Sequence, residues 1–313
     1  MNILIVCSGN APHFNFEKHQ AFIYDQLQAL QQILPDAQFD TFFIRGKGVS
    51  GYLSSLKNLK HTLREKKYRC VHAHFCHSAM LANLQRSVPV VSTFHGSDIN
   101  MSKNRMISAI VGLLSRKTIY VSQKLRENAI VTSKKKDHVI PCGVDFDRFK
   151  PMPKMAARQT MGLNSEKKII LFASSFYVPV KNAALANNAI ELLNNPDVIL
   201  MELKGYTRDE VSLLLSAADV ALMTSFSEGS PQFIKEAMAC NCPIVTTDVG
   251  DVREVIGDTE GCYITGYDPE DVAEKIELAL ALNKRTNGRE KIKHLDNQRI
   301  ARKILDVYHS LES

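Results

Sequence analysis

Short runs of apolar residues recur along this chain between longer stretches of helical periodicity, and that alternation restricts the fold more than any other feature. Residues 3–7 read Ile-Leu-Ile-Val-Cys, and further runs follow at 39–44, 70–75, 90–94 and 118–121. The first is apolar throughout, which marks a strand buried on both faces, and the others are strand-like in their β-branched and aromatic content. Residues 16–34 carry the spacing of an amphipathic helix. Strands separated by helices give parallel sheets, because parallel neighbours need a crossover of a dozen or more residues. The segment 139–153, rich in Pro, Gly and Asp, reads as a linker, and the alternation restarts at 169–173. A chain of 313 residues exceeds what one core usually organises. Two domains are therefore expected, 1–148 and 149–290. A terminal segment, 291–313, follows; its helix at 297–311 puts Ile300, Ile304, Val307, Tyr308 and Leu311 on one face.

Composition narrows the setting. The chain is 45% hydrophobic and 23% charged, as expected of a globular protein. No run of about 20 apolar residues is present to span a bilayer. The first seven residues lack a basic flank and read as a strand rather than a signal peptide, so a cytoplasmic location is expected. Seven cysteines without a Cys-x-x-Cys pair suggest reduced thiols rather than disulfides or zinc. Charge is uneven: residues 1–150 hold 21 Lys and Arg against 10 Asp and Glu, a formal +11, while 151–313 hold 18 against 23, a formal −5. Basic clusters at 64–67, 116–117 and 134–136 suit an anionic membrane surface, with solvated lysines as the plainer explanation. No nucleic-acid-binding module accompanies them, so no nucleic-acid partner is expected.

The segment 227–256 carries the most chemistry. An apolar run at 219–225 reads as a strand, which places Glu228 on the loop leaving its carboxyl end. Ser230 suits an N-cap and Pro231 the first helical position, predicting a helix over 231–240. Unpaired N–H groups at that helix start, around Gly229, Ser230, Pro231 and Gln232, favour a phosphate. Glu236 lies within the helix, flanking its apolar face. The two carboxylates, one before and one after the phosphate position, can each accept hydrogen bonds from a vicinal diol. On spacing alone, two such glutamates are ordinary surface residues.

The whole segment resembles the donor-site motif of the group 1 (family 4) glycosyltransferases. Those are retaining enzymes of the GT-B fold, two Rossmann-like parallel-sheet α/β domains facing a cleft. Their Glu-x7-Glu pair precedes a strand and a Thr-Asp-x-Gly turn, matched here by Thr247-Asp248-Val249-Gly250 and Glu254. Blocks at 71–75, 93–98, 120–122 and 140–151 also resemble the family in order. The resemblance implies that Glu228 contacts the transferred sugar and Glu236 the nucleotide ribose. It implies a nucleotide-diphosphate sugar as co-substrate, no cofactor, no catalytic metal, and a terminal helix that crosses back onto the first domain. The acceptor is expected to be a glycan or lipid-linked glycan.

Other residues take roles from the same resemblance. His95, just after a strand, matches a histidine beside the transferred sugar, and Asp98 is expected to orient it or meet the acceptor. Lys181 matches a lysine on the diphosphate. The family's arginine about five residues earlier is replaced by Ser174, Ser175 and Phe176, leaving Lys204 or Arg208 to supply that charge. Gly9 allows close backbone approach after the first strand, or simply a turn. His72 and His74 share one strand face near His77; packing or acceptor contact by His74 is expected over metal, since no acidic neighbour completes a ligand set. Competing readings are a catalytically silent nucleotide-sugar-binding subunit and a nucleotide-sugar epimerase. A nicotinamide dehydrogenase is disfavoured because no Gly-x-Gly-x-x-Gly follows the first strand.

Overall fold

The computed structural model describes residues 1–46 and 48–312. The chain forms two compact units, one of Met1–Gly143 with Asn297–Ser313 and one of Val144–Asp296. The units part at Gly143 rather than at 148 because the next residues pack into the second unit. Val144 N–H donates to the Leu295 carbonyl at 2.9 Å, and Phe149 is fully buried, with its carbonyl held by Arg289.

In the first unit, six strands are β1 (Asn2–Ser8), β2 (Gln38–Ile44), β3 (Cys70–His74), β4 (Val90–Phe94), β5 (Lys117–Tyr120) and β6 (Asp137–Val139). They lie in the order β2-β1-β3-β4-β5-β6, and every pairing is parallel. Ile3, Leu4, Ile5, Val6 and Cys7 are all buried, as an inner strand covered on both faces requires. The expected helix at 16–34 is two helices, Phe16–His19 and Ala21–Ile33. Asn15 accepts from Lys18 N–H and caps the first turn, while Gln20 leaves helical geometry at φ −136°. Helix Asn297–His309 packs on helix Ala21–Ile33 through Ile300, Ile304, Val307 and Tyr308. Arg69 closes its end by donating to the carbonyls of Tyr308 and His309.

The second unit contains β7 (Lys168–Phe172), β8 (Val198–Glu202), β9 (Val220–Met223), β10 (Ile244–Thr247) and β11 (Cys262–Thr265), in the order β11-β10-β9-β7-β8. These are also parallel throughout. One buried carboxylate ties the entries of its two central strands. Asp219, immediately before β9, accepts from Ile169 N–H of β7 at 2.7 Å, from Arg158 Nη2 at 2.7 Å and from Lys154 Nζ at 2.9 Å. Arg158 is only 2% exposed, and its remaining donors meet the carbonyls of Ala217, Asn164, Ser165 and Lys167. Breaking a buried pair strands a charge, so Asp219→Ala should lower stability by about 3–5 kcal/mol. Lys154→Ala, which removes the more exposed partner, should cost no more than about 1 kcal/mol. Urea unfolding of the two variants tests the difference; equal losses would show that the pair does not tie the strands.

Candidate functional site

Strand order sets where a site can form. In a parallel sheet, ligands bind beyond the carboxyl ends of the strands, where connections leave two neighbours in opposite directions. In the second unit that point lies between β7 and β9. The chain after β7 enters a short turn at Pro179–Lys181, and the chain after β9 runs to Glu228. Thr224 Oγ1 donates to the carbonyls of Lys181 and Asn182 at 3.0 and 2.9 Å, and Phe226 N–H donates to the Val180 carbonyl at 2.9 Å. These bonds stitch the two loops together. Lys181 Nζ consequently reaches Glu228 Oε1 at 2.6 Å, a part-buried ion pair. The sequence reading placed these two residues near one ligand; here they also touch each other.

Beyond that pair lies helix Gln232–Ala239. Its start differs from expectation by one residue: Pro231 occupies the cap position with extended backbone, and Ser230 does not cap. The Ser230 hydroxyl is engaged elsewhere, donating to Asp251 Oδ2 at 2.5 Å and accepting from Lys235 Nζ. Lys235 is fully buried and also pairs with Asp251 at 3.3 Å. This Ser-Lys-Asp cluster anchors the loop of Gly229 to Gln232 from behind. Gly250, at φ +60°, meets the same loop; a Cβ there would lie 2.6 Å from the Gly229 carbonyl oxygen, so the Thr-Asp-x-Gly turn packs only if that residue is glycine. Glu236 is 4% exposed, and its Oε1 accepts from Arg208 Nη1. Arg208 also lies over the Phe149 ring at 4.8 Å. Of the two cations considered for the absent arginine, Arg208 joins this group. Lys204 instead sits 5.0 Å from the Tyr177 ring centroid. Glu254 is exposed on helix Val252–Ile256, while Asp248 pairs with Arg253 at 2.7 Å.

In the first unit, His95 follows β4 and, part-buried itself, leads to the buried imidazoles of His74 and His72. His95 Nε2 and His74 Nδ1 are 3.0 Å apart, and the His74 ring stacks on His72 at 4.3 Å. His72 is held from both sides, by the Tyr308 hydroxyl at 2.6 Å and Thr93 Oγ1 at 2.7 Å. Thus the terminal helix supports His95 at two removes. His74 is fully buried, and its contact with His95 is of the orienting kind. Asp98 is likewise buried and takes backbone N–H bonds from His95 at 2.6 Å and Cys76 at 2.7 Å. It holds the His95 backbone in place, so the orienting expected of it acts through the main chain rather than through the ring. Gly9 donates its N–H to the Ile44 carbonyl, and a Cβ there would lie 2.8 Å from Phe43 Cβ. Its small size is already required by contact of the loop after β1 with the end of β2.

Among the described residues, no group of three or more His, Cys, Asp or Glu could hold a metal ion, and His77 is exposed at the start of helix Cys76–Asn83. All seven cysteines are free thiols. No described helix is long and apolar enough to cross a membrane.

Residues 8–148 match the family described as Glycosyltransferase Family 4, and residues 200–295 match Glycosyl transferases group 1. The chain belongs to the group 1, family 4 glycosyltransferases. It is 29% identical to a Bacillus subtilis protein named for teichuronic acid biosynthesis, a match covering 66% of this chain and 60% of that relative. The chain therefore spans under two thirds of that relative's length. Sucrose-phosphate synthase from Thermosynechococcus elongatus superposes with a TM-score of 0.83 at 15% identity, covering 99% of both chains. The Anabaena protein HepE, in complex with UDP and glucose, superposes at 0.76 with 17% identity, covering 99% of this chain and 100% of that one. These likenesses establish the GT-B fold.

Three groups escaped the sequence reading: the Ser230-Lys235-Asp251 cluster, the Arg208 pairing with Glu236, and the Tyr308 support of His72. Only the first had a local signal, a lysine inside an otherwise buried helix, which must find a carboxylate.

Burial pushes the His72 and His95 imidazoles down to about 3 and His74 well below its ordinary value. All three are neutral when folded and take up protons on unfolding, so their contribution is complete above about pH 6.5, and that of His72 and His95 is lost as pH falls toward about 3. His72 and His95 each add a slope of about 1.4 kcal/mol per pH unit inside that window. His72→Gln should flatten the pH dependence of unfolding free energy between pH 6 and 4 by about that slope. Parallel profiles for variant and parent would refute the neutral imidazoles.

Proposed function

We propose that this chain transfers a sugar from a nucleotide-diphosphate sugar to a hydroxyl acceptor, a glycan or lipid-linked glycan, with retention of configuration. One observation carries the proposal. Two carboxylates and two cations, Glu228 with Lys181 and Glu236 with Arg208, flank the start of helix Gln232–Ala239, beside the β7/β9 reversal. A nucleotide-diphosphate sugar presents a sugar, a diphosphate and a ribose in the corresponding order. The N–H groups at the helix start and the Lys181 ammonium face the charge of the diphosphate, while Glu228 and Glu236 accept from the hydroxyls of the sugar and ribose. Family membership supports this order, and the UDP held by HepE is a ligand of the same chemical class.

In the proposed reaction the bond from the anomeric carbon to the phosphate oxygen breaks, and the diphosphate leaves with the electron pair. Lys181 and the helix N–H groups stabilise that charge as it develops. The acceptor oxygen bonds to the anomeric carbon on the face the diphosphate leaves, and its proton passes to a phosphate oxygen. His95, neutral and held by His74 and the Asp98-anchored backbone, orients the sugar and carries no charge to the reaction. Glu228 binds; the reaction needs no covalent intermediate on it and no metal or cofactor.

Replacement of the family's arginine by Ser174-Ser175-Phe176 favours a second reading, a silent subunit that binds nucleotide sugar without turning it over. Calorimetric titration with UDP and UDP-sugars, followed by mass analysis of products with candidate acceptors, separates the two. Glu236→Gln should weaken nucleotide binding about 10- to 100-fold by replacing a charged acceptor. Lys181→Met should lower turnover more than binding of the free sugar-nucleotide. Nucleotide binding unchanged in Glu236→Gln would remove the ribose assignment, and tight binding without any product would support the silent subunit.

A further inference from the structure

A neutral imidazole carries one N–H and one bare nitrogen, and the partners around the ring decide which nitrogen holds the proton. Three such rings meet in the first unit, all kept neutral by burial. His72 is bonded at both nitrogens, to the Tyr308 hydroxyl and to Thr93 Oγ1, and a hydroxyl can serve either form of the ring. His74 has no such latitude. Its Nδ1 lies 3.0 Å from His95 Nε2, while its Nε2 is buried and meets no hydrogen-bond partner among the described residues.

Two arrangements give both rings one proton and a hydrogen bond between them. In one, His95 Nε2–H donates to His74 Nδ1, and His74 then holds its own proton on Nε2 as a buried N–H without an acceptor. In the other, His74 Nδ1–H donates to His95 Nε2, and only a lone pair at His74 Nε2 goes without a partner. Orphaned buried N–H groups are the rarer of the two in folded proteins, because the full cost of removing the donor from water is left uncompensated. The second arrangement is therefore the more stable. It puts the His95 proton on Nδ1.

Aromatic rings crowd the same imidazole. Phe22 and Phe75 lie against it with centroids at 4.8 and 4.7 Å. Phe75 holds φ +69° and ψ 148°, a region nearly confined to glycine, so its neighbours must keep it there. Its N–H donates to the Thr93 carbonyl at 3.0 Å, and the next N–H, that of Cys76, donates to Asp98 at 2.7 Å. With Nε2 bonded to His74, Nδ1 is the polar ring atom that remains for a ligand. The Cys142 thiol lies 4.0 Å from it, and sulfur is a weak acceptor that a ligand oxygen would displace.

We infer that His74 is a positioning residue that fixes His95 as a hydrogen-bond donor, with Nδ1–H given to an oxygen of the sugar. The contact with sugar rests on the reaction proposed above; the place of the proton does not. A His95 ring in this form has no free lone pair, so it cannot take a proton from the acceptor as a general base. It also favours a hydroxyl or carboxylate oxygen at that point of the sugar over an ammonium group, which brings only donors.

Long-range proton–nitrogen NMR correlations of the full chain, labelled with nitrogen-15 histidine, show which nitrogen of a neutral ring bears the proton. Among the ten histidines, the signals of His95 and His74 are those lost in His95→Asn and His74→Leu. Both rings should carry the proton on Nδ1 in the parent, and in His74→Leu, shown to be folded by its thermal melt, the His95 proton should no longer be confined to Nδ1. A proton on Nε2 of either ring in the parent, or a His95 proton still confined to Nδ1 without His74, would overturn the inference. Amide substitutions carry the test to the ligand, since Asn places its nitrogen near the position of imidazole Nδ1 and Gln near that of Nε2. Binding of UDP-glucose, used as the probe, should fall about tenfold further in His95→Gln than in His95→Asn, as expected for one hydrogen bond. UDP alone, which lacks the sugar, should bind the two variants alike. Equal UDP-glucose affinities in the two variants would overturn donation to the sugar. A parent chain that binds no UDP-glucose would instead count against the proposed reaction, and the spectra would still decide where the proton lies.

Discussion

Parallel pairing is the constraint from which the rest of this protein follows. Each strand must be reached by a crossover outside the sheet, so every loop leaving a strand's carboxyl end emerges on the same edge of its unit. At the β7/β9 reversal those loops diverge, and Lys181 and Glu228 occupy the two loops that leave there. In the first unit the same rule puts His95, at the end of β4, on the edge that also receives the loops after β1 and β3. Chemistry-bearing residues far apart in the chain are gathered because the sheet allows their loops only one place to emerge.

Gathering charge at a sheet edge has a cost, since charges removed from water are stable only when paired. The second unit answers this with nested pairs. Lys235 is buried with Ser230 and Asp251, Arg158 with Asp219, and Glu236 with Arg208. The deepest pairs hold strands and loops, leaving the less buried pair, Lys181 with Glu228, at the mouth. An anionic ligand with hydroxyl groups could exchange with that outer pair without stranding a charge. The first unit takes the other course at His95, where burial keeps three imidazoles uncharged and a tyrosine from the terminal helix satisfies the innermost one.

Much of this was legible in the residues. The buried strands, the break between two units and the apolar face of the terminal helix follow from residue pattern, because burial on both faces favours short, largely apolar and β-branched runs in inner strands. Errors fell where local preference met a tertiary competitor. Ser230 reads as an N-cap, yet a buried lysine and aspartate claim its hydroxyl. Residues 16–34 read as one helix, yet Asn15 caps a separate first turn.

By itself, the sequence determined a parallel α/β architecture in two parts, a Glu-x7-Glu segment at a strand-to-helix turn, and a histidine after an inner strand. These are matters of spacing and residue type, which survive without knowledge of neighbours. Tertiary structure alone decided which charges meet. Arg208 rather than Lys204 reaches Glu236, Lys181 closes on Glu228, and Tyr308 supports His72 across 236 positions of chain. Hydrogen bonds and ion pairs act over a few ångströms, so their partners are set by where the sheets bring the loops and not by distance along the sequence.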